Sequence, residues 1–100
     1  MLRFASFAAV LLLGTPSFAA DTKDISCGYQ AEVVAAIQQA RKDRVKEPDV
    51  ADVIKATSPT WPENYNAAIP LIAPWVYEQK RRDIRTKDLG AAWKDLCLAQ

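Results

Sequence analysis

The sequence predicts an all-α protein, a small bundle of about four helices stapled by one disulfide between the first and last helices. Apolar residues recur at three- and four-residue spacing along most of the chain, as in helices with one buried face. No stretch alternates apolar and polar residues as a strand would, and only three of 100 residues are glycines that suit hairpin turns. This length accommodates one small domain, which we place at residues 20–100.

Residues 1–19 are predicted to be a secretory signal peptide. A positive start at Arg3 precedes an apolar run at 4–13, which Pro16 helps to break before small residues that end at Ala19. A membrane anchor is the alternative, but a span needs about 20 apolar residues, roughly twice this run. We therefore expect a bacterial periplasmic or secreted protein, with no membrane span after signal cleavage.

The composition argues against an enzyme. Histidine is absent, which removes the usual proton-transfer group near neutral pH and the commonest metal ligand. Ser26 and Ser58 have no histidine to activate them, and the paired carboxylates lie among lysines and arginines. We expect no catalytic activity, no cofactor and no metal. Cleavage removes Arg3 from the 13 basic side chains and leaves 12 against 12 acidic ones, a neutral balance that argues against nucleic acid.

The two cysteines predict the staple. Cys27 and Cys97 lie near the two ends of the mature chain, and two cysteines allow one intramolecular pairing. Export to an oxidising compartment favours that disulfide, and closing a loop of about 70 residues stabilises a fold by roughly 4 kcal/mol. A redox-active pair is the alternative, but the sequence contains no Cys-x-x-Cys motif.

The first two predicted helices meet at a proline. The first runs from Cys27 to about Lys46, because apolar residues keep one face and Pro48 disfavours helical geometry at the residue before it. The same proline suits the first turn of a second, short helix, which ends at Ser58-Pro59. The apolar faces of the two helices consist of Ala31, Val34, Ile37, Val45, Val50, Val53 and Ile54.

The third helix is predicted to contain a kink. The Thr-x-x-Glu pattern that starts at Thr60 is a capping box, so we expect this helix to begin at Trp61. Pro70 and Pro74 each remove a backbone donor and clash with the preceding turn. A kink or break near 67–71 follows from them.

The last helix is predicted to follow a charged connection at 80–85. Thr86 is the expected N-cap, and Asp88 suits the first turn because an acidic side chain there faces the positive end of the helix dipole. The buried stripe of this helix consists of Leu89, Ala92, Trp93, Leu96 and Cys97.

Basic side chains form two clusters that have two interpretations. Cations near helix ends interact favourably with the helix dipole, so solvated helix ends are a sufficient structural reason for both clusters. The alternative is contact with an anionic surface or an acidic partner. The clusters are Arg41, Lys42, Arg44 and Lys46 at the end of the first helix, and Lys80, Arg81, Arg82, Arg85 and Lys87 between the third and last helices.

The aromatic run at residues 74–77 is the best sequence-based candidate for a partner site, since aromatic side chains dominate the energetics of protein interfaces. Tyr77 is expected to be partly exposed on the polar side of its helix. The alternative is that the tryptophans are simply the core of a domain without phenylalanine, and we favour it for Trp61, Trp75 and Trp93. The candidate partner-binding residues are Trp75, Tyr77, Arg81 and Arg82.

Two functional hypotheses follow. The first is a small exported protein that acts by binding another envelope or secreted protein, as an accessory subunit or an inhibitor, in an oligomeric state that the sequence leaves open. The second is a periplasmic chaperone that exposes apolar surface at low pH. In size, export, helical content and terminal disulfide the chain resembles the small periplasmic acid-stress chaperones. Without histidine, such a switch would use carboxylates and act near pH 3 to 5, about where they titrate.

Overall fold

The structure, a computed structural model, describes residues 22–100. This part of the chain contains five α-helices and two short 3-10 segments. The all-α bundle is confirmed, and no strand occurs among these residues. The predicted signal peptide lies outside them. The helices are α1 (Lys23–Lys42), α2 (Val50–Ala56), α3 (Ala68–Tyr77), α4 (Arg81–Thr86) and α5 (Leu89–Leu98), and the 3-10 segments are Glu47–Asp49 and Glu63–Ala67.

Helix α1 begins and ends earlier than predicted. It begins before Cys27 because the Thr22 hydroxyl accepts a hydrogen bond from the Ile25 backbone N–H at 3.2 Å, which caps the first turn. It ends at Lys42 rather than near Lys46, because Arg44 adopts the left-handed conformation and turns the chain away from the helix axis. Pro48 therefore lies in the 3-10 turn before α2 but does not end α1.

The predicted capping box before the third helix is wrong. Pro62 precedes the 3-10 segment, and no side chain caps it. The physical reason is that a residue before proline avoids helical geometry, so no helix begins at Trp61. The backbone changes from 3-10 to α between Ala67 and Ala68, within the interval where the prolines predicted a break. Pro70 lies in the first turn of α3, where a missing N–H leaves no hydrogen bond unmade.

The last part of the chain contains one more helix than predicted. The charged stretch expected as a connection forms α4, and the prediction that Thr86 caps the next helix is wrong. Thr86 ends α4, and its hydroxyl donates to the Arg82 carbonyl at 2.8 Å. The N-cap of α5 is Asp88, whose carboxylate accepts from the Ala91 backbone N–H at 2.9 Å.

Helix α5 lies antiparallel to α1. The disulfide between Cys27 and Cys97 is confirmed and joins the start of α1 to the end of α5. In the next turns, the Trp93 indole N–H donates to the Gln30 side-chain oxygen at 3.0 Å. Helix α1 contacts all four other helices, so it is the centre of the bundle. The buried core consists of Val33, Val34, Ile37, Ala40, Val50, Ile54, Trp61, Ile69, Ile72, Ala73, Val76, Ile84 and Leu89.

Gln38 fastens the turn between α4 and α5 to α1. It is the one buried polar side chain among residues 22–100. Its amide nitrogen donates to the carbonyls of Ile84 at 2.7 Å and Lys87 at 2.8 Å. Its oxygen accepts from the Leu89 backbone N–H at 3.3 Å. One side chain thus satisfies three backbone groups where α4 ends and α5 begins.

We expect Gln38→Ala to lower the free energy of unfolding by about 2–4 kcal/mol, because three hydrogen bonds disappear and two of their backbone partners stay buried. Urea titration followed by circular dichroism measures this loss. Gln39→Ala is the matched control, since Gln39 is exposed and bonds only Asp43 in its own helix. Equal losses in the two variants would contradict the role assigned to Gln38.

The two glycines of the described chain predict opposite effects. A Cβ on Gly90 would lie 2.8 Å from the Ala31 carbonyl oxygen, so α5 approaches α1 too closely for alanine. We expect Gly90→Ala to lower stability by about 1–3 kcal/mol. A Cβ on Gly28 meets nothing within 4 Å, and Gly28→Ala should raise stability by up to about 1 kcal/mol. Thermal unfolding of the oxidised variants tests both signs, and a stabilising Gly90→Ala would contradict the close approach.

Candidate binding groove

An open groove of about 850 Å³ lies between the end of α1 and the start of α4. Six of its nine lining residues are lysine or arginine, and none is acidic. The structure thus brings the first basic cluster together with Arg81 and Arg85 of the second, which are distant from it in the sequence. The lining residues are Arg41, Lys42, Arg44, Val45, Lys46, Tyr77, Arg81, Ile84 and Arg85.

Arg41 joins α1 to the C-terminal end of α3, which forms one side of this groove. Its Nη1 atom donates to the carbonyls of Val76, Tyr77 and Gln79 at 2.5 to 3.0 Å. These carbonyls belong to the last residues of α3 and the turn after it, where the helix dipole is negative and carbonyls lack partners within the helix. Arg41 is half-buried and its Nη1 atom joins α1 to the end of α3, which gives it a structural role in the groove.

Tyr77 connects the end of α3 to the segment that follows α1. Its hydroxyl donates to the Val45 carbonyl at 2.6 Å, and the Arg41 guanidinium lies 5.5 Å from the centre of its ring. Burial raises the pKa of Tyr77 above its ordinary value of 10.0, the charge of Arg41 opposes this rise, and the charge of Glu47 adds to it. The phenol therefore keeps its proton at neutral pH and remains a hydrogen-bond donor.

Five cations of the groove have no partner within the described part of the chain. The one ion pair found between residues 22 and 100 joins Lys87 to Asp83 at 3.5 Å, and neither residue lines the groove. Like charges that face one concave surface raise the local positive potential and attract anions. The five side chains are those of Lys42, Arg44, Lys46, Arg81 and Arg85.

The structure separates the four predicted partner-binding residues. Tyr77 and Arg81 line the groove, whereas Arg82 is exposed on α4 and does not line it. Trp75 is half-buried and packs edge-to-face against Trp93, with ring centres 5.2 Å apart. Trp61 is 8% exposed and belongs to the core.

The two basic clusters are more than 30 residues apart in the sequence, so no local pattern predicts that members of both line one groove. The signal available in the sequence was that each cluster adjoins a helix end. Their convergence depends on α3 bringing its C-terminus to the C-terminus of α1, which no local pattern encodes. The groove residues outside the predicted set are Arg41, Lys42, Arg44, Val45, Lys46, Ile84 and Arg85.

A smaller apolar cleft of about 290 Å³ adjoins the groove. Lys46 lines the groove and the next residue, Glu47, lines the cleft, so the two depressions share one wall. Helix α3 forms part of both, through Tyr77 in the groove and Ala73, one turn earlier, in the cleft. The cleft is lined by Glu47, Pro48, Val50, Ala51, Ile69, Pro70 and Ala73.

The described residues contain no group of three or more cysteine, aspartate or glutamate side chains arranged to hold a metal ion. None of the helices between residues 22 and 100 has the length and apolar character that crossing a membrane requires. Comparison of the chain with models of known families, with curated proteins and with solved structures found no match.

Because of Tyr77, we expect the free energy of unfolding to fall at alkaline pH. Because its pKa is raised in the folded chain, the folded protein holds this proton more tightly than the unfolded chain. The resulting stability is complete below about pH 10 and is lost as the pH rises through the raised pKa. We expect Tyr77→Phe to cost about 1 kcal/mol at neutral pH and to flatten the decline at alkaline pH.

Chemical denaturation from about pH 7 to pH 11 measures this difference. Tyr29→Phe is the matched control, because the Tyr29 hydroxyl makes no hydrogen bond within the described chain and its ring packs on Tyr65 at 5.1 Å. An alkaline decline that is identical in wild type and Tyr77→Phe would contradict the assignment.

Proposed function

We propose that this protein is a small exported binding protein without catalytic activity, which engages another envelope or secreted protein through the basic groove. In that role it is an accessory subunit or an inhibitor. The observation that carries the proposal is the groove itself: six cations line one concave surface that includes no carboxylate. In a mature chain with balanced charge, this concentration marks a surface that is complementary to an acidic partner.

The free side chains of the groove support a binding role. Arg81 and Arg85 are exposed on α4, one helical turn apart, and neither makes an ion pair or side-chain hydrogen bond within the described residues. Arginine donates a fork of N–H groups that matches a carboxylate, so these two residues suit paired recognition of acidic side chains. Tyr77 supplies a rigid, partly exposed ring beside them.

The covalent structure supports export. A disulfide between the two terminal helices suits an oxidising compartment, where such staples form and persist. The predicted signal peptide at 1–19 points to the same compartment. Of the other predicted contacts, Trp75 holds α3 against α5 through Trp93, and Arg82 adds positive charge to the exposed side of α4.

Affinity capture tests this proposal. The full sequence is expressed with export, purified oxidised, immobilised and exposed to an envelope extract at about pH 7. We expect one dominant retained protein, released by high salt because the contact is charged. The double variant Arg81→Glu, Arg85→Glu should weaken retention at least about tenfold, equivalent to about 1.4 kcal/mol.

The control for that experiment carries the same change of charge away from the groove. Lys55 and Lys94 are exposed on α2 and α5 and do not line the groove. Lys55→Glu, Lys94→Glu should retain the partner as wild type does. Equal loss in both double variants would contradict the groove as the docking surface. Retention of many unrelated proteins only at about pH 3 would contradict the proposal and favour the chaperone hypothesis.

A further inference from the structure

We infer that the partner docks through an acidic segment followed closely by an apolar side chain, with its carboxylates in the basic groove and the apolar side chain in the adjoining cleft. The inference rests on the proposed function and specifies the chemistry of the partner. It follows from the shared wall of the two depressions, from the polarity of that wall and from the backbone at Arg44.

The shared wall is short enough for one segment to cross it. Lys46 and Glu47 are consecutive, and one lines the groove while the other lines the cleft. Adjacent residues of an extended peptide are about 3.3 Å apart along the chain, so a few residues span the wall. A single bound segment therefore reaches both depressions.

The wall also gives the bound segment a direction. Glu47 carries a negative charge on the cleft side, and Lys46 carries a positive charge on the groove side. A carboxylate is attracted to the groove and repelled from the cleft, where Pro48, Ala51 and Ala73 favour an aliphatic side chain. The volume of about 290 Å³ is sufficient for one such side chain.

Arg44 provides the third observation. It adopts φ 65°, in the left-handed region where glycine is unstrained. Its N–H donates to the Arg41 carbonyl at 3.0 Å and the Val45 N–H donates to the Ala40 carbonyl at 2.9 Å, which is the Schellman arrangement that usually has glycine at this position. The chain instead has an arginine whose side chain lines the groove and has no partner within the described residues. Its side chain therefore serves recognition at the expense of backbone relaxation.

The surroundings of the groove favour a protein segment over a membrane surface. Amphipathic elements that dock on a bilayer carry exposed apolar side chains beside their cations, and these side chains insert at the headgroups. Five large apolar side chains are exposed among residues 22–100 and none lines the groove: Ile25, Val53, Leu71, Leu96 and Leu98. A concave surface also fits a protruding segment better than it fits a flat bilayer.

Synthetic peptides test the chemistry directly. The probe is a fluorescein-labelled peptide with four acidic residues, one to four glycines and a leucine, and fluorescence anisotropy measures its binding to the full-length oxidised protein. Changing the acids to their amides should weaken binding at least about tenfold. Changing the leucine to serine, at the best spacing, should weaken binding about fivefold to tenfold.

Two variants of the protein separate the subsites. Ala51→Leu fills the cleft and should abolish the preference for leucine over serine, while dependence on the acidic residues remains. Ala56→Leu on the exposed end of the same helix is its control and should keep the preference. Arg44→Gly should raise the denaturation midpoint and weaken binding of the acidic peptide about fivefold. Unchanged binding in Arg44→Gly would overturn its role in recognition.

The outcomes distinguish this inference from the proposed function. Equal binding of the leucine and serine peptides, or of the acidic and amide peptides, overturns the inference. So does binding to phosphatidylglycerol vesicles without binding to any peptide. If the peptides fail while Arg81→Glu, Arg85→Glu still abolishes capture of the envelope protein, the proposed function stands and this inference falls. If both experiments fail, both are overturned.

Discussion

The antiparallel pairing of α1 with α5, which is fixed at both ends, is the constraint on which the rest of the structure depends. The Cys27–Cys97 disulfide holds one end of this pair, and Gln38 holds the other through three hydrogen bonds to the end of α4 and the start of α5. A helix as short as α4 or α5 is unstable alone in water. Because both ends of this helix pair are fixed, α4 lies across the end of α1. The arginines of α4 therefore face the basic residues at the end of α1.

The groove depends on a division of roles among similar side chains. Arg41 binds three carbonyls at the end of α3, so its charge is used to join two helices. Arg44, Arg81 and Arg85 have no such partners, and their charges face solvent in the groove. The same residue type is structural at one position of the groove and without a side-chain partner at others. Burial and carbonyl contacts explain the difference.

The formal net charge of only +1 conceals an uneven distribution of charged side chains. Basic side chains converge on one surface, while no carboxylate lines it and Glu47 lies on the far side of the dividing wall. Next to this surface, a small apolar cleft adds a site for one aliphatic side chain. Charge and shape together therefore match the segment with two chemical parts that we propose as the ligand. A flat, uniformly charged surface would not discriminate among acidic partners in this way.

The sequence by itself determined the helical fold and the disulfide pairing, because apolar spacing and a single pair of cysteines are local or unambiguous signals. Local competition defeated other predictions: Pro62 overrides the capping box, and Asp88 rather than Thr86 caps the last helix. Only the tertiary structure decided that the first basic cluster and two arginines of the second line one groove. Their distance depends on how α1, α3 and α4 pack, and that packing is set by long-range contacts of side chains such as Arg41, for which no spacing in the sequence is a signal.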